Sequence, residues 1–519
     1  MGKIWKTILL GLLLAILWTP LLQRVSGIFN EARLKGAYIV PERPEFSVDS
    51  FLGGSFQKKY EAYENYSFGF RPFLIKLKNS LDFILYRDID NTDLMAGKND
   101  VLYSRGSADR TMWGKYYNGR EINNNTLAKI KFLKEKVESG GGHLIALMVP
   151  SKESVMPEYL PSSYDHAKHE NSDYEDFIAG YEREGISYID LCSYFRKLYP
   201  QSKYPLFTKT GFHWSTYGAS VAQDTILKYC QSLLTLPIPY YERKGVEFSD
   251  TARFADADFE DLMNLYFSIQ QSKYVYPKLE IVKSSLSNHR PKVIIIGDSF
   301  FWQIKDLRKL VNIFSDDSKY WYYFRKSFPL SDEAGSDMKF LDVVQELESA
   351  DFVILESSMG TLGEFPFGVT EYFQEHFEND KQMRSINGKR EQFNLKAANG
   401  KFVCADISKN NIVIADREKA AGWETFSILL LPDNKCAIYT YENKYFSAEL
   451  GGQGEITASR YKIAGWETFT MIKLDSNHVA LRAANGKYLA MDEKSLRLFA
   501  RADAIGKNEK FEFMQKGSK

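Results

Sequence analysis

Two short segments hold residue types suited to nucleophilic chemistry. Gly297-Asp298-Ser299 follows directly on the apolar run Val293-Ile-Ile-Ile296. A serine in such a turn can project its hydroxyl where a helix begins, and the unpaired backbone N–H groups there can stabilise an oxyanion. A serine hydroxyl is a weak nucleophile and needs a base. Of the seven histidines, His213 in Lys209-Thr-Gly-Phe-His-Trp-Ser-Thr-Tyr-Gly218 is the best placed, just before an apparent helix. Each segment also has a plain structural reading: a common tight turn for the one, a hydrogen-bonded structural imidazole beside Trp214 for the other. Gly297 and Asp298 are further candidates for the oxyanion or substrate site. So are Lys152 and Glu153, just past an apolar run, and Glu356, just past another. Lys152 and Glu153 read equally as a loop ion pair, and Glu356 as the cap of a neighbouring helix. None of Cys192, Cys230, Cys404 and Cys436 forms a CxxC pair, so no metal site is expected, and no cofactor is called for.

The elements that must position these residues read as an α/β pattern. Leu127, Ile130, Phe132, Leu133 and Val137 are apolar at mixed helical spacing, and Gly140-Gly141-Gly142 stops the helix. His143 to Val149 is then a short apolar strand, and Val293–Ile296 and Phe352–Leu355 are two more. All three are continuous rather than alternating, as expected of strands covered on both faces. Helical stretches lie between, for example near Ser215 to Leu234. The pattern predicts a largely parallel sheet, with chemistry on loops just beyond strand C-termini: Gly297 to Phe300, and Glu356-Ser357-Ser358.

A chain of 519 residues is too long for one ordinary core. Its 67 basic and 67 acidic residues give zero formal net charge. No basic excess draws it to nucleic acid, and no nucleic-acid partner is expected. Lys3 and Lys6 precede an uncharged run, Thr7 to Gln23, closed by Arg24. That run is about 26 Å long as a helix at roughly 1.5 Å per residue. It reads as a single-pass anchor with the lysines inside and the rest of the chain outside. Alternatively it is a signal peptide cleaved near Val25-Ser26-Gly27, which also exports the protein.

The C-terminal part repeats itself. Asn399-Gly-Lys-Phe402, Glu442-Asn-Lys-Tyr445 and Asn485-Gly-Lys-Tyr488 recur at a spacing of 43 residues. Gly422-Trp-Glu-Thr-Phe426 recurs as Gly465-Trp-Glu-Thr-Phe469 and, degenerately, as Gly506 to Phe511. Each unit alternates apolar and polar residues between Asn-Gly turns, as short strands do. Three units of four strands predict a β-trefoil, and the phrases resemble the fascin-type trefoils over about Phe393 to Met514. Such domains often bind glycans, which makes Trp423, Trp466, Tyr445 and Tyr488 binding candidates, although the two tryptophans read first as core. Cys404 and Cys436 could pair in an oxidising compartment or be two small buried thiols. The expected division is an N-terminal signal or anchor at 1–28, a catalytic domain at 29–380, a polar linker at 381–392 and the trefoil at 393–519.

Several blocks together carry a second resemblance. Asn65-Tyr-Ser-Phe-Gly-Phe-Arg71 with Phe73-Leu-Ile, Gly97-Lys-Asn-Asp-Val-Leu-Tyr103, Val149-Pro-Ser-Lys-Glu153 running on to Pro157-Glu-Tyr-Leu-Pro161, His213-Trp214, Gly297-Asp-Ser299 and Asp351 to Glu356 follow one another. In this order they are similar to the alginate O-acetyltransferase family, periplasmic proteins with an SGNH-hydrolase-like domain. The likeness spans roughly Asn65 to Phe373. It implies Ser299 as the acyl-accepting nucleophile and His213 as its base. It also implies acetyl transfer to hydroxyls of an envelope polysaccharide, beside a membrane-embedded acyltransferase that supplies the acetyl. One position departs: the family has an aspartate two residues before the histidine, where this chain has Gly211. That aspartate would orient the imidazole and stabilise imidazolium. Its loss leaves three alternatives: a dyad, another acid in its place, or an impaired copy. The functional readings are an O-acetyltransferase with a glycan-binding trefoil, a glycan acetyl-esterase using the same two residues, and a non-catalytic polysaccharide scaffold.

Overall fold

The computed structural model describes residues 3–515 except 30–32, 37–39, 169–170, 271, 283–289, 308, 332–333, 339–340, 342, 387–391, 410, 432–434, 441–443, 450–454 and 461–462. Glu442 and Asn443 of the second repeat lie outside the described residues. So does the central part of the expected linker. Its first part, up to Ile386, is the end of the helix Val369–Ile386.

One seven-stranded sheet organises the middle of the chain, in the order Ser336–Asp337, Lys326–Pro329, Lys319–Tyr322, Val293–Gly297, Phe352–Ser358, His143–Val149, Tyr188–Asp190. The last five of these pair in parallel and the first two add antiparallel at one edge. The apolar runs are continuous because both faces are covered. Ile145, Leu147, Val293 and Ile295 point into one core with Trp214, Phe300 and the helix Thr216–Leu233. Leu144, Ala146, Ile294 and Ile296 point into the other, with Leu127, Ile130, Leu133 and Val137 of the helix Arg120–Ser139. Alternation of side chains along a strand makes this two-sided division.

The strand after Asp351 does not stop at Leu355. It continues through Glu356, Ser357 and Ser358, in register with Leu147 to Val149. Glu356 is therefore not in a loop. Lys152 and Glu153 likewise are no loop pair: they begin the helix Lys152–Val155 and are 1% and 0% exposed.

Among the described residues from Gln392 to Gln515, twelve strands join one antiparallel network whose first and last strands pair, Phe393 with Gln515. The sequence repeats recur as repeated bonds. Ala421, Ala464 and Gly506 each donate a backbone N–H to the carboxylate three residues on, at Glu424, Glu467 and Glu509 (2.7, 2.9 and 2.7 Å). The two Asn-Gly turns match as well. Asn399 Nδ2 donates to Ala415 O and Asn485 Nδ2 to Ala500 O. A shared core of Phe393, Phe426, Phe446, Phe469, Leu489 and Phe511 draws on all three units. Trp466 is not core, since 43% of it is exposed, and Trp423 is half-buried. Both lend their carbonyls to equivalent bonds, from Ala448 N and Ala405 N. Tyr445, by contrast, is 1% exposed, and Tyr488 is half-buried. All four cysteines are buried and unpaired, so Cys404 and Cys436 form no disulfide.

At the N-terminus one helix runs Lys3–Ser26, and its stretch Ile4–Ser26 is long and apolar enough to cross a membrane, with mean hydropathy 1.9. It continues through Pro20 and extends beyond Thr7–Gln23 at both ends.

A serine, histidine and aspartate at the end of the central sheet

Ser299 stands just past the strand Val293–Gly297, at the N-cap position of the helix Phe300–Asp306 but with no capping bond from its side chain. Its Oγ lies 2.8 Å from His213 Nε2. His213 Nδ1 lies 2.6 Å from Asp258 Oδ2. The other oxygen, Asp258 Oδ1, accepts the backbone N–H groups of Phe212 (2.6 Å) and Phe259 (2.9 Å). The carboxylate can thus only accept, which fixes the imidazole with its proton on Nδ1 and leaves Nε2 free to take the serine proton. The ring is held edge-on by Phe212 and Phe300, with centroids at 5.0 and 4.8 Å. Trp214, wholly buried, ties the histidine segment to the serine segment by donating Nε1–H to Phe300 O at 3.1 Å.

The carboxylate that meets His213 is thus that of Asp258, 45 residues beyond it, and none stands at position 211. Gly211 leaves no room for a side chain. A Cβ there would lie 2.7 Å from Thr208 Oγ1 and 3.0 Å from the carbonyls of Ala255 and Asp256. The same segment that fills this space, 255–258, leads into the helix Asp258–Met263 and brings Asp258 to the imidazole. In the sequence the only trace of this is an acidic residue at a helix start, a common N-terminal preference with no spacing to His213 that any motif defines.

The other candidates lie behind the serine rather than around it. Asp298 is fully buried. Its carboxylate accepts the N–H groups of Phe300 (2.9 Å) and Ser358 (2.8 Å) and the hydroxyl of Thr361. Its carbonyl accepts the Tyr320 hydroxyl. Glu356, also fully buried, accepts the Asp298 N–H at 2.8 Å. Burial first, and then the neighbouring Asp298 charge, hold the Glu356 carboxyl well above the usual range. Gly297 permits this approach, because a Cβ there would lie 2.1 Å from Glu356 Oε2. Lys152 Nζ donates to Leu102 O at 2.8 Å and to Lys209 O at 3.4 Å, tethering the start of the histidine segment. Burial lowers its pKa to about 7, opposed by the charges of Glu153 and Asp258. Glu153 accepts from Ser107 Oγ at 3.0 Å, and burial pushes its carboxyl up.

Two residues without any sequence signal also serve the site. Asp256 accepts Thr216 N–H (2.8 Å) at the start of the helix Thr216–Leu233, and burial raises its carboxyl to about 6. The other is Tyr323, which follows the strand Lys319–Tyr322 alongside Gly297. Its backbone sits in the left-handed region, φ 49°, with its N–H on Gly297 O at 2.9 Å.

A parallel sheet with a serine at a central strand end and a histidine brought in from a separate loop is the frame of the SGNH-hydrolase-like class. Residues 94–300 match the family model of the SGNH hydrolase-like domain of acetyltransferase AlgX. The chain is also similar to an alginate O-acetylase. The probable alginate O-acetylase AlgJ of Pseudomonas syringae pv. tomato is 26% identical over 194 residues, which is 37% of this chain and 47% of that protein. The match thus takes in about half the length of the curated relative. Among solved structures, the O-acetyltransferase domain of Pseudomonas putida AlgJ is 16% identical (TM-score 0.35), covering 54% of this chain and 99% of that one. Pseudomonas aeruginosa AlgX is 10% identical (TM-score 0.37), covering 82% and 87%. Residues 430–519 match a domain of unknown function (DUF7910).

Proposed function

We propose that this protein transfers acetyl groups to hydroxyls of an envelope or extracellular polysaccharide, with Ser299, His213 and Asp258 as its triad. The single observation that carries the reading is the continuous chain of two hydrogen bonds from Ser299 through His213 to Asp258. His213 Nε2 takes the hydroxyl proton as Ser299 Oγ attacks the acyl carbonyl, and the Asp258 carboxylate stabilises the imidazolium that forms. The Ser299 N–H, at the start of its helix, is the donor proposed for the oxyanion. His213 returns the proton to the leaving group and then deprotonates a sugar hydroxyl, which attacks the acyl-serine; the acyl–Oγ bond breaks and His213 passes that proton to Ser299. Asp298 and Glu356 hold the serine segment, and Lys152 the start of the histidine segment, without touching substrate. The likeness to the alginate O-acetylase AlgJ favours an acidic, alginate-like glycan as acceptor. It also favours a membrane-bound acyltransferase as the acetyl source.

The catalytic part lies outside the cytoplasmic membrane, anchored by the helix Lys3–Ser26 or released after its cleavage. Residues 393–519 are a β-trefoil that holds glycan, with Trp466 as the exposed aromatic platform. The twelve strands and the thrice-repeated backbone-to-glutamate bond support that reading. A fluorophosphonate probe should label the protein at Ser299, and the purified protein should move acetyl from a chromogenic ester to a glycan. Labelling with release to water alone, across a glycan panel, would make it an esterase. No labelling at all would leave the scaffold reading.

A further inference from the structure

The helix Arg71–Tyr86 presents an apolar stripe that the described residues leave exposed. Phe73, Leu74, Leu77, Leu81, Ile84 and Leu85 are all exposed, Leu81 by 47% and Leu85 by 64%. At 3.6 residues per turn these six fall within an arc of roughly 120°. The opposite side is fixed to the protein. Phe83 is buried with Leu94, Leu102, Phe259 and Met263. Asn79 Nδ2 donates to Met263 O at 2.8 Å, and Ser80 Oγ accepts Tyr266 N–H at 3.0 Å. A continuous exposed apolar stripe of this kind marks an interaction surface.

What covers it follows from its neighbour. The membrane-length helix ends against the start of this one. Gln23 Oε1 accepts Phe70 N–H at 3.2 Å, Phe29 and Phe70 rings lie 6.0 Å apart, and Gly69 approaches Pro20 O so closely that a Cβ would lie 1.9 Å from it. Arg24 pairs with Glu64 at 2.5 Å in the intervening helix Ser55–Tyr66. On the anchored reading the chain leaves the bilayer at this point, and the stripe then begins at the membrane surface. The exposed Phe46, Val48, Phe51 and Leu52 add apolar surface in the same N-terminal region.

We propose that Arg71–Tyr86 lies in the lipid interface and seats the catalytic domain on the bilayer, its stripe buried about 5–10 Å below the headgroups. This rests on the anchored reading given above. Through Met263 the docked helix is bound to the helix that begins with Asp258, so the seat also fixes the height and tilt of the triad above the membrane.

The test uses the full chain in vesicles of phosphatidylethanolamine and phosphatidylglycerol. Single cysteines at Leu13, Leu77, Leu81, Leu85 and, as a control, Glu121 carry an environment-sensitive fluorophore; the four native thiols are buried. Lipids with a nitroxide near the headgroup end of the chain should quench most of the emission at 77, 81 and 85, and at 13, but not at 121. Leu77→Glu with Leu81→Glu should abolish quenching at position 85 while position 13 stays quenched and the thermal melt stays cooperative. Quenching at 13 with iodide-accessible labels at 77, 81 and 85 would overturn the seat and leave the anchor. Labels shielded from iodide yet unquenched by lipid would overturn it in favour of a protein partner or a second copy. No quenching at 13 would remove the anchored reading, and the seat with it.

Discussion

Ser299, His213 and Asp258 occupy three separate segments, the histidine 86 residues from the serine and 45 from the aspartate. Their proposed roles make distinct predictions. Ser299→Ala should abolish ester turnover with little change in melting temperature, since one half-exposed hydroxyl contributes little to stability. Asp258→Asn would leave Phe212 and Phe259 N–H groups an acceptor but favour the wrong imidazole tautomer. Turnover should fall by about 10⁴-fold, with fluorophosphonate labelling slowed in parallel. Gly211→Asp should lower both activity and stability, because its Cβ meets Thr208 Oγ1 and two carbonyls. Unchanged turnover in Asp258→Asn would remove that residue from the triad. Lys152 gives a pH signature. Its folded-state pKa of about 7 lies below the ordinary 10.5. Between those values the unfolded chain binds more protons than the folded one, so stability contributed by this group rises with pH across that window. Urea melts from pH 7 to 10 should show that rise in the wild type and a flatter profile in Lys152→Met.

At the scale of elements, the turn from Gly297 into the helix Phe300–Asp306 is braced by the strand beside it. Asp298 bonds Ser358 N–H and the Thr361 hydroxyl across the strand end, and Glu356 bonds the Asp298 N–H in return. Asp298→Ala leaves buried donors unpaired, each costing about 1–3 kcal/mol. The variant should melt earlier and lose turnover, with the loss in kcat rather than KM, because the serine is displaced and no substrate contact is removed. A large KM effect with normal stability would instead place Asp298 at the substrate. The apolar cores of these strands are legible in the sequence, since coverage on both faces demands uninterrupted runs. The last turn of the Phe352–Ser358 strand is not. Glu-Ser-Ser looks like a loop until Asp298, about 60 residues away in sequence, supplies the acceptor that lets polar residues stay buried.

At the scale of the whole molecule, the C-terminal repeats share one core and close first strand on last. Residues 392–515 expressed alone should give a cooperative melt with β-type circular dichroism. Trp466→Ala should weaken retardation in glycan affinity gels without unfolding, whereas Tyr445→Ala should unfold, since that ring is buried. Equal retardation of Trp466→Ala and wild type would detach Trp466 from glycan binding. A phosphatase fused after residue 60 of the full N-terminus should be active, and a cytoplasmic reporter at the same point silent. The sequence alone determines the features that depend on local pattern: the apolar N-terminal run, the buried strands, the three repeats, and a serine and histidine in recognisable phrases. Periodicity and turn chemistry act between near neighbours, so they are written in the order of residues. Only the tertiary structure decides which acid serves His213, why position 211 must be glycine, and which candidate carboxylates face inward. Each depends on which distant backbone groups arrive within hydrogen-bonding range, and no local pattern encodes that arrival.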